Sequence, residues 1–222
     1  MKNTLLNSVS ALVLTVIALP AQADGLSFGD SGGWYTSVFA GGSSLRNVET
    51  DYYGSAYSVD FNNGYVLGFA IGKQISPNLR VEGELSYNRN KASAYSYSGF
   101  GSHPADGHIS ATYLLANVWY DIPTQGKLKP YVGGGIGAAR VTADTHFGGF
   151  AFGYGPGETK LAGQIGAGFS YELSPKMDLD VGYRYKVVNN VDFADNDGSG
   201  VYTAGDVQSH NLQIGLRIKL GK

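Results

Sequence analysis

Apolar residues recur at every second position through eight separate segments of the chain, each roughly ten residues long, which is the period of a strand with two unlike faces. In the clearest, Leu79, Val81, Gly83, Leu85 and Tyr87 alternate with Arg80, Glu82, Glu84, Ser86 and Asn88. A helix would scatter those charges around its circumference, whereas a strand collects them on one side. Tyr65, Leu67, Phe69 and Ile71 oppose Val66, Gly68, Ala70, Gly72 and Gln74 in the segment before it. The seventh sets Leu179, Val181, Tyr183 and Tyr185 against Asp178, Asp180, Gly182, Arg184 and Lys186. The eighth sets Leu212, Ile214, Leu216, Ile218 and Leu220 against Asn211, Gln213, Gly215, Arg217 and Lys219. The remaining strands are expected at residues 34–43, 109–121, 130–141 and 161–173. In the second of these, Tyr113, Leu115 and Trp119 share a face with Asn117.

The connections alternate strictly in length. Ser76-Pro77-Asn78, residues 123–127 and Ser174-Pro175-Lys176 are tight turns, while 46–62, 89–108, 142–160 and 187–207 are long and rich in Gly, Ser, Tyr, Asn and Asp. Every long connection therefore leaves the same end. An even strand count with short turns at one end and long loops at the other predicts an all-β fold: an eight-stranded antiparallel up-and-down transmembrane β-barrel. A soluble eight-stranded carrier would show similar alternation with its apolar face turned inward. Here the charged positions keep company with Gly, Ala, Ser and Gln, which suits the narrow interior of an eight-stranded barrel, and the other face carries bulky Leu, Ile, Phe and Tyr.

The inward charges expected on this basis are Arg80, Arg184, Lys186, Arg217 and Lys219 against Glu82, Glu84, Glu172, Asp178 and Asp180. The two signs balance, as a buried polar network requires. Antiparallel pairing of the last two strands should bring Asp178 and Asp180 near Arg217 and Lys219. Trp34, Trp119, Tyr120, Tyr171 and Tyr185 are expected in interfacial girdles near strand ends.

Composition narrows the class. Charged residues are 15% of the chain, glycine supplies 33 of 222 residues, tyrosine 16, and cysteine none, with a formal net charge of −2. Disulfide scaffolds, thiolate metal sites and polybasic nucleic-acid surfaces lose their support. Residues 1–23 read as an export signal: Lys2, an apolar core at 12–19, Pro20, and Ala21-Gln22-Ala23 ahead of a cleavage that leaves 24–222 as the barrel domain.

Gly33-Trp34-Tyr35, the run Pro130-Tyr131-Val132-Gly133-Gly134-Gly135-Ile136-Gly137, Val181-Gly182-Tyr183-Arg184-Tyr185, and the closing segment from Ser209 to Arg217 resemble the small eight-stranded outer-membrane barrels. These are the OmpA transmembrane domain, OmpX and the opacity-type, porin-family surface proteins. The resemblance implies a bacterial outer-membrane location, contact with membrane lipid and lipopolysaccharide, assembly by the barrel insertion machinery, and surface-exposed long loops. Such chains usually end on an aromatic residue, whereas this one ends Leu220-Gly221-Lys222. No periplasmic cell-wall-binding domain is expected after the last strand.

Candidate chemistry is sparse. Residues 133–138 fit the dinucleotide fingerprint G-x-G-x-x-A, but no helix is expected after them. Asp195, Asp197, Ser199, Gly200 and Asp206 occupy calcium-loop positions 1, 3, 5, 6 and 12, without flanking helices. His108-Ile109-Ser110 resembles the His-x-Ser element of outer-membrane lipid A deacylases, with Glu84 as an acid that could orient the histidine. The four histidines have no metal-ligand spacing, and no cofactor is expected. The long loops carry Tyr52, Tyr53, Tyr57, Tyr95, Tyr97, Phe100, Phe150 and Tyr154 among Gly and Ser, a combination suited to adaptable surface contact. The functional expectation is a monomeric, non-enzymatic surface protein that meets an extracellular or host ligand through its loops and binds no nucleic acid. Its alternatives are a deacylase-like barrel enzyme and a minor pore.

Overall fold

A computed structural model of the chain describes residues 33–46, 48–52, 55–97, 101–147, 150–152, 157–194 and 201–220. The expected export signal lies outside the described residues. Among the described residues every regular element is a strand: β1 (Trp34–Leu45), β2 (Val48–Tyr52), β3 (Ser55–Phe61), β4 (Gly64–Ser76), β5 (Leu79–Tyr97), β6 (Gly101–Pro104), β7 (Asp106–Asp121), β8 (Leu128–Phe147), β9 (Phe150–Phe152), β10 (Glu158–Ser174), β11 (Met177–Ala194) and β12 (Val201–Leu220).

Eight of these close on themselves in the order β1, β4, β5, β7, β8, β10, β11, β12 and back to β1, each neighbour antiparallel. The closing pair runs unbroken from Trp34 opposite Leu220 to Leu45 opposite Ser209. No edge is left where lipid would face an unpaired N–H or C=O, the condition for a sheet to cross a bilayer.

Side-chain direction follows the predicted alternation. Leu114 and Leu161 are 66% and 65% exposed, and Leu67, Phe69, Ile71, Leu85, Ile136, Phe169 and Ile214 join them on the outer wall. A continuous apolar surface of this extent is foreign to a soluble protein and native to a lipid-facing one. Trp34 and Tyr65 sit near its two margins on neighbouring strands. Tyr65 is eight positions along β4 from Lys73, the register partner of Trp34, which at ~3.4 Å per residue and a ~40° tilt is about 21 Å of height.

Two expectations need correction. Trp119 is not in a girdle; it is 1% exposed and points into the lumen. The face that Tyr113, Leu115 and Trp119 share with Asn117 is the inward one, and Asn117 marks it. The long connections are also not loops. They continue the sheet: β2 and β3 form a hairpin added to β5, β6 pairs with β5, β9 with β8, and β11 and β12 stay paired up to Ala194 opposite Val201. Once two strands are in register, each further pair satisfies backbone groups without closing a new loop, which outweighs the Gly, Ser and Asn content. Asn190, at φ 49°, lies where the β11–β12 register shifts between Val188 and Val191. Residues 133–138 are interior to β8, so they form neither the turn nor the helix start of a dinucleotide site.

Phe69 lies midway between Tyr65 and Lys73 on the outer wall. Phe69→Arg should lower folding stability in lipid vesicles by about 2–4 kcal/mol, measured by denaturant titration. An unchanged midpoint would mean that this wall does not face hydrocarbon.

Candidate functional site

The interior is the part of the molecule where sequence places ionisable groups close together, and it is filled. At mid-height Lys186, fully buried on β11, reaches across the barrel to Glu84 on β5: its Nζ donates to Glu84 Oε1 at 2.7 Å and to Ser86 Oγ at 2.7 Å. The other carboxylate oxygen, Oε2, accepts from Gln164 Nε2 at 2.7 Å and Asn117 Nδ2 at 3.0 Å. The ammonium also stands 4.6 Å from the centre of the Tyr113 ring. Both charges are thus paired and bonded on several sides, which offsets the cost of removing them from water.

Toward the short turns lies a second cluster. Arg80 Nε donates to Asp121 at 2.8 and 3.0 Å, and its Nη1 to the Tyr35 hydroxyl at 3.2 Å. Tyr35 in turn donates to Glu82 Oε2 at 3.0 Å, and Trp119 Nε1 donates to Glu82 Oε1 at 3.0 Å. Arg184 stacks 4.1 Å from the Trp119 ring and donates to the Tyr131 hydroxyl at 2.9 Å, which itself donates to Asp180 at 2.7 Å. Arg217 pairs with Asp180 at 3.1 Å and Asp178 at 3.7 Å, and Lys219 with Asp178 at 2.9 Å. Antiparallel pairing of β11 with β12 therefore brings Asp178 and Asp180 onto Arg217 and Lys219. Glycines make the room: a Cβ on Gly182 would lie 2.6 Å from both Arg184 Nη1 and the Tyr131 hydroxyl.

Toward the hairpins the character changes. Asn88 Nδ2 donates to Asn211 Oδ1 at 2.6 Å and to Ser43 Oγ at 3.2 Å, while the facing walls supply Leu45, Ile109, Ala111, Leu115, Val141, Val188 and Val207 as an apolar core. A cavity of about 20 Å³ lies between Arg80, Arg184, Gln213 and Arg217. That is space for about one water molecule. Arg80 Nη2, Arg184 Nε and Gln213 Oε1 are buried there without a protein partner.

Nine of the ten expected lumen charges take part in these contacts. Glu172 does not: it stands opposite Asp178 in register, half-buried at the turn end, and makes no ion pair among the described residues. Asp121, Tyr35, Tyr131, Asn117, Gln164 and Trp119 also belong to the network, beyond the ten charges expected from the alternation. For β7 the signal was Asn117 on the face of Tyr113 and Trp119; Asp121 was hidden by its place at a strand end.

The catalytic arrangement does not assemble. His108 and Ser110 lie on the outer wall, His108 Nδ1 being 3.2 Å from Arg89 Nη2 and Ser110 Oγ 2.8 Å from Thr142 Oγ1, whereas Glu84 is committed to Lys186 inside. Of the residues that match the calcium-loop pattern, 195–200 lie outside the described residues, and Asp206 belongs to β12, where its carboxylate accepts from Asn190 N at 3.2 Å. Of the loop aromatics, Tyr52, Tyr57, Tyr95, Tyr97 and Phe150 fall in strands, with Tyr57 in register opposite Tyr97. Tyr53, Phe100 and Tyr154 lie outside the described residues.

Lys186→Met should destabilise the barrel by about 3–5 kcal/mol by stranding the Glu84 carboxylate, and adding Glu84→Gln should return most of that loss. Denaturant titration of both variants checks this; additive losses would show that the pair is not coupled. The filled lumen should also give planar-bilayer recordings with no conductance steps above background.

Comparison with known proteins agrees with this architecture. Neisserial surface protein A matches with a TM-score of 0.52 and 23% identity, over 85% of this chain and 97% of that one. The outer membrane protein OprG of Pseudomonas aeruginosa matches with a TM-score of 0.54 and 15% identity, over 86% and 99%. The outer membrane protein AlkL matches with a TM-score of 0.56 and 20% identity, over 88% and 94%. At these identities the likeness is one of fold. An uncharacterized protein of Brucella abortus is 29% identical over 172 residues, 65% of this chain, and the chain spans 58% of that relative's length. The family model described as an outer membrane protein beta-barrel domain matches residues 9–219. With eight closed strands, an apolar outer wall and a polar, side-chain-filled interior, the chain belongs to that outer-membrane β-barrel family and is a protein of the bacterial outer membrane.

Proposed function

We propose that the barrel is a non-enzymatic anchor and that the protein works by surface recognition through the four hairpins at its long-connection end. The observation that carries this is the contrast between a sealed lumen and strands far longer than a membrane crossing needs. About 9–11 residues span the hydrocarbon layer, yet β5 has 19 residues, β8 and β12 have 20, and β11 has 18. Close to half of each is available to stand above the membrane, where it forms a paired, stiff platform instead of slack loops. Tyr52, Tyr57, Tyr95, Tyr97 and Phe150 fall in strands of that platform. Rigid aromatic contact area on a fixed support binds at low entropic cost.

Two other activities are less supported. Passage of solutes through the centre meets both the ionic cluster and the apolar core above it. Acyl-ester hydrolysis lacks a joined acid, base and nucleophile among the described residues.

Replacing the β2–β3 hairpin, residues 48–61, by a short turn tests the proposal, as do equivalent trims of the other three. Cells displaying the trimmed barrel should lose about tenfold or more of their binding to host-cell, matrix or glycan surfaces, the loss of a few aromatic anchors. Cold detergent gels should show the barrel still compact and heat-modifiable. Undiminished binding by a barrel trimmed of all four hairpins would overturn the proposal.

A further inference from the structure

The outer wall just above the apolar band is not evenly polar. On the adjacent strands β5, β7 and β8, register sets Tyr87 beside Thr112 and Thr112 beside Arg140, Arg89 beside Ser110, and Lys91 beside His108. These positions keep the outward parity of Leu85, Leu114 and Ile136, so the side chains stand on the lipid-facing wall. Arg89, Lys91 and Arg140 are exposed. Among the described residues neither Arg89 nor Lys91 forms an ion pair, and the side-chain partner of Arg89 there is the His108 ring, at 3.2 Å. On β7 and β8 the carboxylates of this face are Asp144, beside His108, and Asp106, one step farther from the membrane, and on β3 Asp60 stands opposite Ala94, beyond Lys91. The row nearest the membrane is therefore cationic.

Its height matches a headgroup. Arg89 is ten positions along β5 from Leu79, where the strand leaves its turn, or about 26 Å at ~3.4 Å per residue and ~40° tilt, against an apolar band about 25 Å tall. The paired Tyr65 and Tyr87 rings, 6.3 Å apart, mark the same boundary. Directly below, the cross-strand pair Leu85 and Leu114 offers acyl chains an apolar track.

We infer that Arg89, Lys91 and Arg140 form an outer-wall site for a phosphorylated glycolipid headgroup of the outer leaflet, which in this membrane is lipid A. Arg89 and Arg140 are separated by two strand spacings and one pair step, about 12 Å between backbones. That gap is wider than one phosphate ion and suits a phosphate carried on a sugar, with the exposed Thr112 hydroxyl between the two cations. Guanidinium and ammonium groups at the edge of hydrocarbon gain more from a phosphate than they would in open water. The site is on the wall and not on the hairpins, so it stands apart from recognition by the tips.

The test uses the full-length protein refolded in detergent, with its heat-modifiability midpoint and native mass spectra read against added lipid. Bisphosphorylated lipid A should raise the midpoint and remain bound, whereas lipid A stripped of phosphate should bind about tenfold more weakly, and inorganic phosphate alone should do nothing. Arg89→Gln with Lys91→Gln should remove the preference for the phosphorylated lipid, and Asp106→Asn should leave it intact. Equal binding of the two lipids by the unaltered protein would overturn the site, even if the double variant failed to fold. So would a folded double variant that keeps the preference, and a response to free phosphate equal to that of the lipid would reassign the site to a soluble anion.

Discussion

Closure of the sheet is the constraint from which the rest follows. In hydrocarbon no water is present to satisfy an exposed strand edge, so β1 must pair with β12 along its whole length, and it does, from Trp34 to Leu45. With eight strands closed, the interior is too narrow to stay open. Side chains on opposite walls become neighbours: Lys186 on β11 meets Glu84 on β5, and Asn88 on β5 meets Asn211 on β12. Partners separated by more than a hundred residues are thereby held at hydrogen-bond distance, and the polar network crosses the barrel where in a soluble sheet it would run along one face.

The interior has two levels with different physics. Near the short turns, charge is neutralised by charge, with aromatic faces as spacers: Arg184 lies on Trp119, and Arg80 and Arg217 approach the Tyr35 ring at 5.8 and 5.3 Å. Near the hairpins, Ile109, Val141, Val188, Val191 and Val207 make a small apolar core inside a membrane barrel. This is what allows the strands to continue beyond the bilayer as a closed sheet, because the part standing in water has its own buried interior, as a soluble β-structure does. The lower level fixes the anchor and the upper level stiffens the platform that it carries.

The expectation of loops at 46–62, 89–108, 142–160 and 187–207 shows where reasoning from composition stops. Those segments have the Gly, Ser, Asn and Asp of turns, and residues such as Asn190 and Gly205 do adopt positive φ there. Their neighbours are strand all the same, because the membrane-embedded pair beneath each one has already set the register. Trp119 is a second instance. A tryptophan near a strand end is ordinarily interfacial, but parity on β7 is set by Asn117, which needs Glu84 and Gln164 as partners, and the same parity turns Trp119 inward onto Glu82 and Arg184.

By itself the sequence determined the eight strands of the closed barrel, their up-and-down order, which end carries the long connections, and which face of β4, β5, β11 and β12 meets lipid. All of these depend on local alternation and on Pro- and Gly-bearing turns, which are properties of neighbouring residues. It also placed Asp178 and Asp180 close to Arg217 and Lys219, because consecutive strands of an up-and-down barrel pair antiparallel and so set the start of β11 beside the end of β12. Tertiary structure alone decided the pairing of Glu84 with Lys186, the exclusion of Glu172, the recruitment of Asp121 and Tyr131, and the gathering of Arg89, Lys91 and Arg140 on one stretch of wall. The contacts of Lys186 with Glu84 and of Tyr131 with Asp180 and Arg184, like the gathering of Arg89 with Arg140, join strands two or more places apart in the sheet, and Asp121 reaches Arg80 from the far end of the neighbouring β7; their geometry exists only once the barrel has closed with a definite stagger between its strands.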